Sequence, residues 1–189
     1  MRITINSFGT RGDVQPYLAL GHGLEQAGHH VRILSHEIHR DLVQQEGFEF
    51  DPIQVDPKQV MLDHVFAEMG NNIFQIMKFL RDHSASFIED LFRVTDAAAE
   101  GADLLLNSSL SVAGYHVAEK RGVPALGAYL QPVTPTRHFH GMSIPPPPSW
   151  LPAKGLYNYA SQKLSNQLFF MLMLSLTNET RGRCWGCRR

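Results

Sequence analysis

Apolar and polar residues alternate along MRITINSF (1–8), and the run is rich in β-branched types, the pattern of a strand with one covered face. The period then changes. From Pro16 to Ala27, Tyr17, Leu18, Leu20 and Leu24 recur at helical spacing, and Gly28 follows where a helix stop is expected. HHVRILSH (29–36) returns to strand character, EIHRDLVQQEG (37–47) predicts a short helix closed by Gly47, and FEFDPI (48–53) a third strand. Strand, helix, strand, helix, strand with short connections predicts an α/β fold: a Rossmann-like parallel sheet flanked by helices. Right-handed crossovers place the loops that follow the strands along one sheet edge, where ligands of such sheets bind.

Further on, 57–100 reads as helical, two helices interrupted near MGNN (69–72). ADLLLNSS (102–109) is a continuous apolar run, expected of a strand buried on both faces. VAGYHVAEKRG predicts a helix stopped by Gly122, and VPALGAYL (123–130) a strand. QPVTPTRHFHGMSIPPPPSWLP (131–152) is a long proline-rich loop, a kind that in compact domains commonly carries function. A last helix is expected over about 155–180, and no internal repeat is visible.

Charge and composition narrow the classes. With 17 basic and 18 acidic residues there is no electrostatic footprint for nucleic acid. The ten histidines are scattered, which argues against one metal site, and no cofactor is expected. Met1–Phe8 lacks the shape of a signal peptide. LFFMLMLSL (168–176) is about half of what a helix needs to span a bilayer. A soluble, cytoplasmic protein is the expectation. Cys184 and Cys187 form a C-x-x-C at the very end, without the strand and helix that a redox motif needs, so an incidental pair is expected. Zinc would require two more ligands from elsewhere.

Chemistry concentrates in NSFGTRGDVQPYLALG (6–21). Gly9 and Gly12 stand three apart with no third glycine, so the turn is not G-x-G-x-x-G, and no Gly-Lys-Ser/Thr follows to make a P-loop. The glycines still allow a tight turn and close approach to a ligand, ahead of a helix N-terminus. Asp13 reads either as a helix cap or as a free carboxylate. Proline suits the first helical position and disfavours helical angles in the residue before it. That places the cap at Gln15 and leaves Asp13 upstream and free.

GTRGDVQPYLALGHGLEQAGHHVRILSH resembles the opening of nucleotide-sugar glycosyltransferases, the sterol glucosyltransferases and antibiotic-modifying enzymes among them, with their G-[ST]-R-G-D-x-x-P turn, helix, and G-H-x-V strand. HRDLVQQEGFEFDPI, GYHVAEKRGVPALGAYLQPVTPTRHF and GLYNYASQKLSNQLFF are similar to three later stretches of that family, in order. The resemblance runs from Met1 to about Arg181. It implies one half of a GT-B fold: residues 1–180 as a Rossmann-like acceptor-binding domain, 181–189 as an atypical tail, and the donor-binding carboxyl-terminal domain absent. The chain alone is then expected to be inactive.

The resemblance also implies a reaction and its residues. A hexose passes with inversion from a nucleotide-sugar, UDP-glucose being the expectation, to a hydroxyl of a lipophilic acceptor such as a sterol. Removing the hydroxyl proton needs a positioned base, and the resemblance gives that role to Asp13. The helix terminus favours the charged carboxylate, and an apolar acceptor packed over it favours the neutral form. Gly9, Thr10, Arg11 and Gly12 shape the turn; Arg11 either neutralises diphosphate charge or pairs with a structural carboxylate. Gln131, Pro132, Thr134 and Thr136, with Pro135 between the last two, resemble the acceptor-side wall. His138 and Phe139 either line its mouth or belong to a solvated loop.

Outside this constellation, His22 falls well inside a helix and reads as a packing or surface residue, and His29, His30, His36 and His39 as structural. Pro145–Pro148 predicts a stiff extended spacer. Met61, Phe66, Met69, Phe74, Met77, Phe79 and Phe87 suit an ordinary core or an adaptable lipophilic pocket. The expected partners are a lipophilic acceptor and, only with a donor domain, a nucleotide-sugar. Peripheral membrane contact and self-association through the final helix are open. The alternative is a truncated, non-catalytic Rossmann-like module that binds a lipophilic ligand.

Overall fold

The computed structural model describes residues 1–54, 88–109, 111–141 and 144–185, with 172–185 as backbone only. Five strands form one parallel sheet in the order β3-β2-β1-β4-β5. They are β1 (Arg2–Asn6), β2 (His30–His36), β3 (Glu49–Ile53), β4 (Leu104–Asn107) and β5 (Ala125–Gly127). The helices are α1 (Arg11–Gln26), α2 (Arg40–Gln45), α3 (88–98), α4 (Val112–Arg121) and α5 (Lys154–Trp185). The expected Rossmann-like sheet flanked by helices is what forms.

Alternation along the strands makes two cores. Ile3 and Ile5 of β1, Val31 and Ile33 of β2, and Leu106 of β4 pack with Val14, Tyr17 and Leu18 of α1 and Val43 of α2. On the other face, Leu34, Ile53 and Leu105 meet Ile88, Leu91 and Phe92 of α3 and Ala113 and Val117 of α4. Gly21 lets α1 lie close on the first face: a Cβ there would stand 2.8 Å from the ring of Phe48.

The chain runs outward from β1 to β3, then returns to place β4 on the other side of β1. Strand order therefore reverses between β1 and β4, and the carboxyl ends of the strands at such a switch point are where ligands of parallel sheets commonly bind. Asn6 and Asn107 are register partners that end these strands side by side.

Several expectations are corrected. α1 begins at Arg11, not Pro16, and its N-cap is Thr10, not Gln15. Pro16 thus lies inside the helix and removes one backbone hydrogen bond, a cost of about 3 kcal/mol in a helix interior. Burying Val14, Tyr17 and Leu18 stabilises by about 1.5–3 kcal/mol each, so tertiary packing wins over the local preference. The segment 37–47 divides into a 3-10 turn at Glu37–His39 and α2. β5 is three residues long, and α5 continues to Trp185 through part of the expected tail. The methionine and phenylalanine set from Met61 to Phe87, and Cys187, lie outside the described residues. No helix among the described residues is long and apolar enough to cross a membrane.

Candidate functional site

β1 delivers the chain to the switch point of the sheet with Asn6, Ser7 and Phe8 buried, and the glycine turn follows at once. Gly9 has φ +132°, a conformation that strains any side chain. Its shape serves Asp13: a Cβ on Gly9 would stand 2.3 Å from Asp13 Oδ2. That oxygen accepts the backbone N–H of Thr10 at 2.7 Å and the Thr10 hydroxyl at 3.0 Å. Asp13 is therefore the third residue of α1, reaching back to the cap amide as in a capping box, rather than a carboxylate held clear of the helix. Its other oxygen accepts no recorded hydrogen bond among the described residues, and the residue is half-buried. One oxygen of the side chain is thus fixed by the turn.

A second support comes from the loop after β2. His39 is 5% exposed, and its Nε2 lies 3.1 Å from the carbonyl oxygen of Gly9. A carbonyl only accepts, so Nε2 carries the proton. His36 is equally buried and meets Phe8 edge to face, with ring centroids 6.0 Å apart. Ser7 donates to the main-chain carbonyl of Asp13 at 3.4 Å. The turn is thus gripped from β1, from α1 and from the β2 loop.

Under the turn lies a polar floor. Asn6 Nδ2 donates to Asn107 Oδ1 at 2.6 Å, with both side chains fully buried. Ser111 Oγ donates to Asn6 O at 2.6 Å, and Phe8 N donates to Ser108 Oγ at 3.3 Å. These bonds join the ends of β1 and β4 and tie both to the start of α4.

On the β5 side, tyrosines gather. The Tyr17 hydroxyl donates to Ala128 O, and the hydroxyls of Tyr115 and Tyr129 are 2.6 Å apart. Burial raises the Tyr17 phenol above its ordinary value, helped by the nearby charge of Asp13 and by Tyr129. Burial raises Tyr115 too, reinforced by its bond to Tyr129. Both hydroxyls stay protonated near neutral pH, Tyr17 with the Asp13 charge nearby and Tyr115 against Tyr129.

The expected site residues divide into two groups. Gly9, Thr10, Gly12 and Asp13 make the turn, with Arg11 exposed at its tip and without an ion-pair partner among the described residues. Gln131 lies near the end of β4, where its Oε1 accepts from Ser109 at 3.4 Å. Thr136, His138 and Phe139 instead lie along α5, with the exposed Pro132 and Thr134 earlier in the same loop. Thr136 N donates to Gln162 Oε1 at 2.6 Å, and Gln162 Nε2 donates to Phe139 O at 3.1 Å. Asn158 and Asn166 donate to the carbonyls of Arg137 and Val133, and Ser161 accepts from Gly141 N. This polar stripe holds the long loop by its main chain.

Of the other histidines, His22 bonds Glu46 at 2.9 Å and packs on Phe48, and His30 lies 3.3 Å from Glu49. His39 is structural as well, but its partner is the site turn, which the sequence reading missed. The sequence pattern puts Tyr17 only in an apolar stripe and does not mark Tyr115 or Tyr129. A tyrosine in an apolar stripe that points toward the carboxyl edge is the signal that was available.

Residues 3–140 match the glycosyltransferase family 28 N-terminal domain. The sterol 3-beta-glucosyltransferase of Neurospora crassa is 31% identical over 98% of this chain and 12% of its own length. That of Aspergillus oryzae is 31% identical over the whole chain and 13% of its own length. The calicheamicin glycosyltransferase structure aligns with 95% of this chain and 42% of its own, with a TM-score of 0.58 at 14% identity. The glycosyltransferase of kitacinnamycin aligns with 71% of this chain and 31% of its own, with a TM-score of 0.54 at 23% identity. At those identities the two structures speak to the fold alone. The chain spans about an eighth of the length of the curated relatives it matches.

Proposed function

We propose a function from one premise: this chain belongs to the glycosyltransferase family 28 N-terminal domain family. It forms the acceptor-binding half of an inverting hexosyltransferase. A nucleotide-sugar, UDP-glucose in the first instance, is held by a second domain, and the hydroxyl of a lipophilic acceptor such as a sterol lies in the crevice between β1 and β4. The anomeric carbon–phosphate oxygen bond breaks as the bond to the acceptor oxygen forms. The acceptor proton goes to the presented oxygen of Asp13, and the nucleoside diphosphate leaves. A base in hydrogen-bond reach contributes about 10²–10⁴-fold to such a step.

The observation that carries the reading is the half-fixed carboxylate. Oδ2 is held by Thr10 while the other oxygen is left for a ligand, at the switch point of the sheet. Support for the sterol comes from the relatives' names. Arg11, exposed at the turn, faces the donor phosphates, and Gln131, Pro132, Thr134, Thr136, His138 and Phe139 form the acceptor wall. Peripheral membrane contact in the cytoplasm and pairing of chains through α5 belong to the same reading. The exposed Leu164, Leu168, Phe169, Phe170 and Met171 support them, and vesicle flotation and sedimentation test them.

A non-catalytic lipophile-binding module is the second reading, favoured by the anchoring of Oδ2 in a purely local motif. One experiment separates them. The chain is mixed with a nucleotide-sugar-binding domain of the family, and transfer of labelled glucose to a sterol is measured. Transfer by wild type and not by Asp13→Asn supports the base; equal transfer by both, or by neither, removes it.

A further inference from the structure

We infer that His39 is a positioning residue for the glycine turn, a latch by which the loop after β2 sets where the Asp13 carboxylate stands. The inference rests on the reading of Asp13 as the base, but its geometry is independent of that reading. His39 lies thirty residues from Gly9 and reaches it from a different crossover. It is 5% exposed, so its Nε2–H has no water to exchange for the Gly9 carbonyl without cost. Gly9 is the residue against which Asp13 packs: its Cα hydrogens occupy the place from which a Cβ would reach Oδ2 at 2.3 Å.

Moving Gly9 therefore moves the surface that confines the carboxylate. The other anchors of Asp13, the Thr10 amide and hydroxyl, belong to the next residue of the same turn and move with it. α1 itself is held on the sheet by the packing of Val14, Tyr17 and Leu18, whereas the polar tie from the end of β1, Ser7 to Asp13 O, is long at 3.4 Å. His39 supplies a shorter link, from a 3-10 turn that follows directly on β2. His36, at the end of β2, packs edge-on against Phe8 and fixes the other side of the same junction.

The test is hydrogen exchange in the 189-residue chain. His39→Ala is expected to speed exchange of the Thr10 amide about tenfold, while the Ile5 and Ile33 amides within the sheet keep their wild-type rates. His39→Gln places an amide nitrogen at the reach of Nε2 and is expected to restore Thr10 protection. His39→Asn, one carbon shorter, is not. If His39→Ala does not fold, the Gln and Asn pair decides. Equal protection of Thr10 by Gln and Asn, or acceleration spread evenly over the sheet amides, overturns the latch.

A kinetic arm uses the chain supplied with a donor domain. There His39→Ala lowers kcat about tenfold with KM for the nucleotide-sugar unchanged, and Gln restores it. Loss in KM alone overturns the inference. If Asp13→Asn transfers normally while His39→Ala still exposes Thr10, the latch stands and the base reading falls.

Discussion

Oδ2 of Asp13 lies 2.7 Å from the backbone nitrogen of Thr10 and 3.0 Å from its hydroxyl, so the side chain that caps α1 is also the one proposed to take the acceptor proton. The two duties separate by substitution. Asp13→Asn keeps an oxygen for the Thr10 amide and is expected to change stability by less than about 0.5 kcal/mol, while reducing sugar transfer about 10²–10⁴-fold. Asp13→Ala loses the cap contact too and costs about 1 kcal/mol more. Thermal unfolding and the reconstituted transfer assay give the two readings.

Gly114 offers a test in which helix propensity and packing predict opposite signs. In an exposed helix, Gly→Ala stabilises by about 1 kcal/mol. Here the Cβ would stand 1.8 Å from Asn107 Oδ1 and 2.7 Å from Asn6 Nδ2, both fully buried. Gly114→Ala is therefore expected to destabilise by about 3 kcal/mol, seen as a lower urea midpoint.

Tyr17 ties α1 to the end of β5. Tyr17→Phe removes its bond to Ala128 O and leaves that carbonyl to find another partner, at a cost of about 1 kcal/mol. The raised phenol also sets a sign. The folded state holds the proton more tightly than the unfolded chain, so stability is complete below the unfolded value near 10 and declines as pH rises beyond it. The variant should lose part of that alkaline decline in denaturation curves taken between about pH 9 and 11.

Asp96 gives the acid-side counterpart. Burial raises it, but hydrogen bonds from Lys120 and Arg121, at 2.7 and 2.6 Å, outweigh burial and bring it below its ordinary value. A depressed carboxylate contributes stability above its unfolded value, and that contribution is lost as pH falls through the folded one. Asp96→Asn should cost about 0.5–1 kcal/mol at pH 7, after solvent screening of the partly exposed pair, and progressively less below about pH 4.

The strands were legible because β1 imposes a two-residue period and β4 a short continuous apolar run on residues only a few positions apart, and Gly28, Gly47 and Gly122, all at positive φ, marked the stops. The start of α1 was not. The rule for the residue before proline is local, whereas Val14, Tyr17 and Leu18 are buried against strands from elsewhere in the chain. Asp13 itself was legible as the residue of interest, but its contact with the cap amide was hidden by that misplaced start. His39 with Gly9 and Tyr17 with Ala128 join residues 30 and 111 positions apart, and no periodicity records such a meeting.

The stripe of Asn158, Ser161, Gln162 and Asn166 grasps residues 133–141 through amides and carbonyls, which every sequence possesses. The loop's own side chains are left out of that grip. Val133, His138 and Phe139 can thus be exchanged without unmaking the loop's path, so the outer surface of this segment is free to vary over a fixed backbone.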